Sequence, residues 1–163
     1  MTYNYSIPNL IMLIGIPGSG KSYWVKKLKP KRSCALICPD EIRKEVLSNI
    51  SDQSENIQIW AITKERTIKS LESGIDVILD ATNVNSIYRK SFLMDIPDCR
   101  LHAILFECDP ERACSRIASD LKEKKDRSEV PEEVIYRMYG EFLYTKKVIS
   151  NEGFHSIQII SAD

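Results

Sequence analysis

The sequence lacks any long apolar run. Its first hydrophobic stretch, residues 10–16, is too short to cross a bilayer, and a glycine loop follows it instead of a small-residue cleavage site. Neither a membrane span nor a secretory signal is therefore expected. Cysteine is sparse and odd in number, five residues at 34, 38, 99, 108 and 114, without CxxC pairs or the histidine spacing of a zinc site. A disulfide framework and a structural zinc are thereby disfavoured, and reduced, mostly buried thiols are expected. Net charge is missing too: 23 basic residues balance 23 acidic ones. Bulk electrostatics then names no partner, although a local Lys/Arg cluster can still hold a few phosphates. The expected location is the cytoplasm.

The chain has ordinary globular content, 43% hydrophobic and 28% charged over 163 residues. That length suits one domain, which buries roughly 70% of its unfolded surface. Four segments read as strands, at 10–16, 34–38, 76–80 and 101–108, with 155–160 as a fifth. They are rich in Ile, Leu and Val without strict alternation, as in strands covered on both faces. Helical stretches separate them, which predicts parallel crossovers and a central parallel sheet of about five strands with helices on both faces. The helices are expected at 21–28, ending before Pro30, from about Glu55 to Glu72, ending at Gly74, and after Ser86 as a cap. Another is expected from Pro131 to about Lys147, with Pro131 in its first turn and Glu132 and Glu133 favouring its positive end. No repeat, low-complexity segment or linker is visible.

Residues 15–22 read GIPGSGKS, the GxxxxGK[ST] spacing. Gly15, Gly18 and Gly20 permit turns and close approach that side chains block, and with Pro17 and Ser19 they form a loop whose N–H groups can face phosphate oxygens. The helix starting near Lys21 adds its positive end. Lys21 can reach the β and γ phosphates, and the Ser22 hydroxyl suits a magnesium ligand. A chance glycine turn is the bland alternative, but every fixed position is present and a strand and a helix flank the loop. The motif implies binding of ATP or another nucleoside triphosphate with Mg2+, and leaves the acceptor open.

After the second strand comes Cys38-Pro39-Asp40-Glu41-Ile42-Arg43, an acid at the carboxyl end of a strand, where open parallel sheets put ligands. Asp40 is a candidate general base for an attacking hydroxyl, and Arg43, one turn on, can face the same cleft and grip a phosphate. The competing reading is a helix N-cap with a solvated arginine; Glu41 reads as a surface residue. The third strand ends at Asp80, suited to orient water on magnesium. Thr82 and Asn83 can hydrogen-bond substrate or simply form the next turn, and Arg89 alone reads as a solvated surface residue. The segment 122–131 carries Lys122, Lys124, Lys125 and Arg127 between two helices. It is either a solvated polar loop or a mobile lid that brings Arg127 over the triphosphate, and the phosphate loop favours the lid.

Four blocks in order, GIPGSGKS, PDEIR, DATNVNSIYR and DRSEVPEEVI, resemble the 5′-hydroxyl polynucleotide kinase family of P-loop kinases, found in phage and bacterial end-healing enzymes, over most of residues 9–147. The resemblance implies a P-loop kinase fold with a helical lid, about 116–131, in a single kinase domain spanning 1–163. It implies an enzyme that transfers the γ-phosphate of ATP to the 5′-OH of a DNA or RNA end. Lys21 and Ser22 would be the triphosphate and magnesium residues, Asp40 the base, Arg43 the contact to the phosphate 3′ of the terminal nucleoside, and Arg127 the lid arginine on the donor phosphates. Asp80, Thr82, Asn83 and Arg89 match the DATN block with its trailing arginine. Two features depart from the pattern. The stretch from Arg116 to Arg127 is longer than in the relatives, so Lys122, Lys124 and Lys125 could take the part of other lid arginines. There is also no second domain, so no phosphatase activity is expected.

Three rivals remain: a P-loop kinase with a small-molecule acceptor such as a nucleoside, sugar or antibiotic, a nucleotide-dependent switch ATPase, and a binding-only pseudoenzyme. The switch would need no base at Asp40, and the pseudoenzyme is disfavoured by the presence of Lys21, Ser22, Asp40 and Arg43 together. Tyr136, Tyr139 and Tyr144 could stack an end nucleotide, although at helical spacing they read equally as core or helix surface.

Overall fold

The computed structural model describes residues 6–28, 33–47 and 56–161. Five strands form one sheet: β1 (Asn9–Ile14), β2 (Cys34–Ile37), β3 (Asp76–Leu79), β4 (Arg100–Glu107) and β5 (Ser156–Ser161). Every pairing is parallel and the order is β2-β3-β1-β4-β5. The first strand in sequence thus lies in the middle of the sheet, and its Leu10, Met12, Leu13 and Ile14 are essentially fully buried.

Alternation along the strands sends side chains to two unequal faces. Leu10, Met12 and Ile14 of β1, Val77 and Leu79 of β3, and Ala103 and Leu105 of β4 form the larger core. Five helices contribute to it: α2 (Pro39–Leu47) through Ile42, α3 (Asn56–Glu72) through Ile59 and Leu71, α4 (Ser86–Leu93) through Phe92, α5 (Pro110–Lys122) through Ala113 and Ile117, and α6 (Glu132–Val148) through Ile135 and Phe142. On the opposite face Leu13, Ile78, Ile104 and Phe106 meet the short α1 (Lys21–Lys27), where Trp24 packs edge-on against Phe106 at 5.9 Å between ring centroids. Both faces are covered, as runs of Ile, Leu and Val require, and burying such side chains is the main source of stability, about 1.5–3 kcal/mol each.

Several expected boundaries shift. Gly15 and Ile16 lie beyond the end of β1, and Cys38 and Asp80 beyond β2 and β3. Asn85, not Ser86, caps α4: its side-chain oxygen accepts from Tyr88 N at 3.0 Å. Pro131 occupies the cap position of α6 instead of its first turn. Helix α5 continues to Lys122, so Arg116 belongs to a packed helix and the non-helical part of the expected lid begins after it. Asp109 caps α5 by accepting from Glu111 N at 2.9 Å and Arg112 N at 3.3 Å, ahead of a proline in the first turn. The expected stop at Pro30 and start at Glu55 lie outside the described residues.

All five cysteines are free; Cys99 and Cys108 are buried and the other three partly so. Among the described residues no helix is long and apolar enough to cross a membrane.

Candidate active site

The loop from Gly15 to Ser22 joins the end of β1 to α1 at the carboxyl end of the sheet. Gly15 N donates to the Thr82 carbonyl at 2.9 Å, which ties the loop to the segment leaving β3. Gly18 has φ +80°, and a Cβ there would stand 2.7 Å from the Ala113 carbonyl oxygen, so α5 presses on the loop from the side. Gly20, at φ 96°, turns the chain into α1.

Lys21 is 8% exposed. Its Nζ donates to Gly15 O at 2.8 Å, Ile16 O at 2.9 Å and Ser19 Oγ at 3.3 Å, so the ammonium sits inside the curl of the loop. Burial lowers its pKa to about 8, opposed by the charge of Asp80. Ser22 Oγ donates to Asp80 Oδ2 at 3.3 Å. Desolvation raises the Asp80 carboxyl above its ordinary value while Lys21 and Ser22 pull it back. The hydroxyl and carboxylate are hard oxygen donors beside a phosphate loop, and this set fits a magnesium ion held by Ser22 directly and by Asp80 through water.

Asp40 stands in the first turn of α2, directly after β2. Its carboxylate is 55% exposed and accepts from Arg43 Nη1 at 2.6 Å. The competing reading of a solvated arginine is not what forms: Arg43 is only 4% exposed, its Nη2 donates to Asn56 Oδ1 at 3.0 Å, and its Nε is buried without a partner. The cap reading of Asp40 also gives way, since Asp40 lies inside the helix. Glu41 is exposed, as expected. The neighbouring Cys38 thiol is pushed up to about 11 by burial and is no nucleophile at neutral pH.

The segment after β3 turns inward. Asn83 adopts φ 50° and its side-chain N–H donates to Leu13 O at 2.7 Å. Arg89 is 2% exposed, which overturns the solvated reading. Its guanidinium donates to both Glu152 carboxylate oxygens at 3.0 and 2.7 Å, to Asn83 O at 2.7 Å and to Thr145 Oγ1 at 2.9 Å. Asn83 and Arg89 thus have bonds that shape the turn; Thr82 is partly exposed and lines the cleft.

Arg127 pairs with Asp120 of α5, and Lys44 of α2 pairs with Asp126, so the 123–131 segment touches both walls of the site. Desolvation would raise the Asp120 carboxyl, but hydrogen bonds from Lys125 and Arg127 hold it below its ordinary value. One cleft of about 2320 Å³ gathers Lys21, Ser22, Asp40, Arg43, Asp80, Thr82, Asn83, Arg89 and Arg127. It also holds Arg116, whose role sequence reasoning missed: its Nη1 donates to Gly18 O at 3.2 Å. The Asp109-Pro110 cap signal, read as the start of a helix, would have put Arg116 two turns along it and beside the loop.

A buried lysine in a glycine loop, a hydroxyl paired with a strand-end acid, and a second acid paired with a buried arginine define a P-loop α/β domain of the kinase type. The AAA domain family matches residues 10–143, and the chain belongs to that family. No match to a curated protein sequence was found. Among solved structures, the Pnkp1/Rnl/Hen1 RNA repair complex is similar over 90% of this chain and 47% of the other, with a TM-score of 0.76 and 19% identity. A second structure, of the Pnkp1/Rnl/Hen1 complex, is similar over 71% and 41%, with a TM-score of 0.59 and 20% identity. The chain thus spans less than half the length of either.

Proposed function

We propose that this chain is a kinase that moves the γ-phosphate of ATP to the 5′-hydroxyl of a DNA or RNA end, acting as one domain in the cytoplasm. The observation that carries the reading is the Asp40–Arg43 pair at the end of β2, in the same cleft as Lys21. A nucleotide switch has no need of an exposed carboxylate held in place by a buried guanidinium. An acceptor hydroxyl does.

Asp40 accepts the proton of the 5′-hydroxyl, and its fixed geometry aims the oxygen at the transferring phosphorus. Lys21 and the loop N–H groups hold the β and γ phosphates; Ser22 and Asp80 would hold Mg2+, which would supply neutralising charge to those phosphates. Arg43 contacts the phosphate that follows the first nucleoside. Arg127 leaves Asp120 and swings onto the donor phosphates, where a cation stabilises the developing charge. The ordered blocks shared with 5′-hydroxyl polynucleotide kinases support the reading, and so does a structural neighbour described as an RNA repair complex.

The test is labelled ATP with magnesium against 5′-OH DNA, 5′-OH RNA, nucleosides, 3′-nucleotides and small alcohols. Label is expected on the polynucleotides; label confined to free nucleosides or other small molecules sinks the reading. Asp40→Asn is expected to abolish transfer while ATP still binds, and loss of ATP binding would make Asp40 structural.

A further inference from the structure

From Asp40 the cleft does not end at Arg43. Arg43 Nη2 reaches Asn56, the first residue of α3, and the cleft wall continues along one face of that helix through Ile57, Trp60 and Lys64. Asn56 to Lys64 spans about 12 Å of helix rise. Tyr88 and Phe92 of α4 line the same cleft. Trp60 and Phe92 meet edge to face at 6.0 Å, and the Lys64 ammonium stands 5.7 Å from the Phe92 ring centroid.

Two features are out of place on a structural surface. Ile57 is 90% exposed and Tyr88 is 76% exposed, so apolar and aromatic area along the cleft faces solvent. Lys64 donates to Asp95 at 2.7 Å, a pair whose acid is 64% exposed. Such a pair exchanges readily for a phosphate.

We infer that the groove between α3 and α4 is the track for the nucleotides following the reacting 5′ end, with Tyr88 and Trp60 offering ring faces to bases and Lys64 contacting a phosphate. The inference rests on the polynucleotide reading and makes the acceptor a strand, not a single nucleotide. At ~3.4 Å per stacked nucleotide a 12 Å track takes on the order of three. Ring faces with a nearby cation bind bases of any sequence, so the track is indifferent to base identity.

The experiment measures kcat/KM for a 5′-OH 3′-mononucleotide and a 5′-OH pentamer of the same first base, in the wild type, Tyr88→Ala and Lys64→Gln. Both side chains reach solvent, and a thermal melt of each variant checks folding. The wild type is expected to favour the pentamer at least tenfold. Tyr88→Ala is expected to cost the pentamer about tenfold more than the mononucleotide. Lys64→Gln is expected to flatten the salt dependence of pentamer KM. Equal wild-type rates on the two lengths, or equal losses on both in Tyr88→Ala, overturn the track while leaving the kinase reading standing. No label on either nucleotide overturns both.

Discussion

The buried ammonium of Lys21 makes nucleotide affinity depend on pH. With a pKa of about 8 in the free protein, Lys21 is roughly 90% protonated at pH 7 and roughly 10% at pH 9. Triphosphate oxygens beside Nζ favour the charged form, so binding above pH 8 must draw a proton from solvent. The dissociation constant should therefore rise about tenfold from pH 7 to pH 9, worth about 1.4 kcal/mol. The neighbouring Cys38 thiol lies outside this window, pushed up to about 11 by burial. Folding moves in the opposite sense. The unfolded chain keeps the lysine proton up to about 10.5 while the folded chain releases it near 8. Between these values the unfolded state binds more protons, and this group makes the fold more stable as pH rises. Weaker binding at pH 9 is thus not unfolding. Displacement of a fluorescent ATP analogue in EDTA, from pH 7 to 9, measures the effect without a metal. Lys21→Met is expected to bind weakly at every pH with a flat profile. A wild-type profile flat to within twofold would refute the buried-ammonium argument.

Three other changes test separate parts of the site. Arg43→Ala removes both the clamp on Asp40 and the donor for the next phosphate, so kcat/KM should fall for every acceptor but at least tenfold further for those with a 3′ phosphate, at ~1.5–3 kcal/mol per charge-assisted bond. Equal losses on nucleoside and 3′-nucleotide remove the phosphate contact. Gly18→Ala should lower both melting temperature and ATP affinity, since a Cβ at φ +80° meets the Ala113 carbonyl at 2.7 Å; an unchanged melt would mean that α5 gives way. Arg89→Met strands the Glu152 carboxylate, whose side chain is 2% exposed, and a broken buried pair costs about 3–5 kcal/mol, or roughly 10 °C in Tm. A shift under 2 °C, seen in a thermal melt, would count against that role.

The donor half was legible because its signals are local. A glycine spacing, a preceding apolar run and a following helix are contiguous in sequence, and the structure assembles Lys21 from those same residues. The strands were legible for the same reason, their ends fixed to within one or two residues by where apolar runs stop. Arg89 was misread because its partners, Glu152 and Thr145, lie 63 and 56 residues away. No local pattern announces an acid in a loop near the far end of the chain. The depth of Arg43's burial was illegible for a similar reason, since Asn56 belongs to the next helix and only the fold brings it near. Arg116 went unplaced because the helix opening at Asp109 was not read as such, and with it went the face that Arg116 turns to Gly18.

Arg43, Lys21 and Arg127 of the cleft already have partners, and on the proposed reading the strength of each pairing bears on its part in a turnover. Arg43 is buried and doubly bonded, and releasing it would strand a charge at a cost of several kcal/mol. It therefore stays, and the acceptor pocket is built before anything binds. Lys21 rests on neutral carbonyls and a hydroxyl, acceptors weaker than phosphate, so it changes partners without moving far. Arg127 pairs with Asp120 near the surface, both side chains about one quarter exposed. An ion pair of that kind contributes about 0–1 kcal/mol, the smallest barrier of the three. On the proposed kinase reading, the 123–131 segment is then the part that would close, drawn by phosphate charge away from Asp120, while Asp40 and Arg43 would hold a hydroxyl in a place set by the core. On that reading closure would order the donor phosphates against a fixed acceptor, so the lid would bear on the rate of transfer and the β2–α2 corner on the choice of substrate.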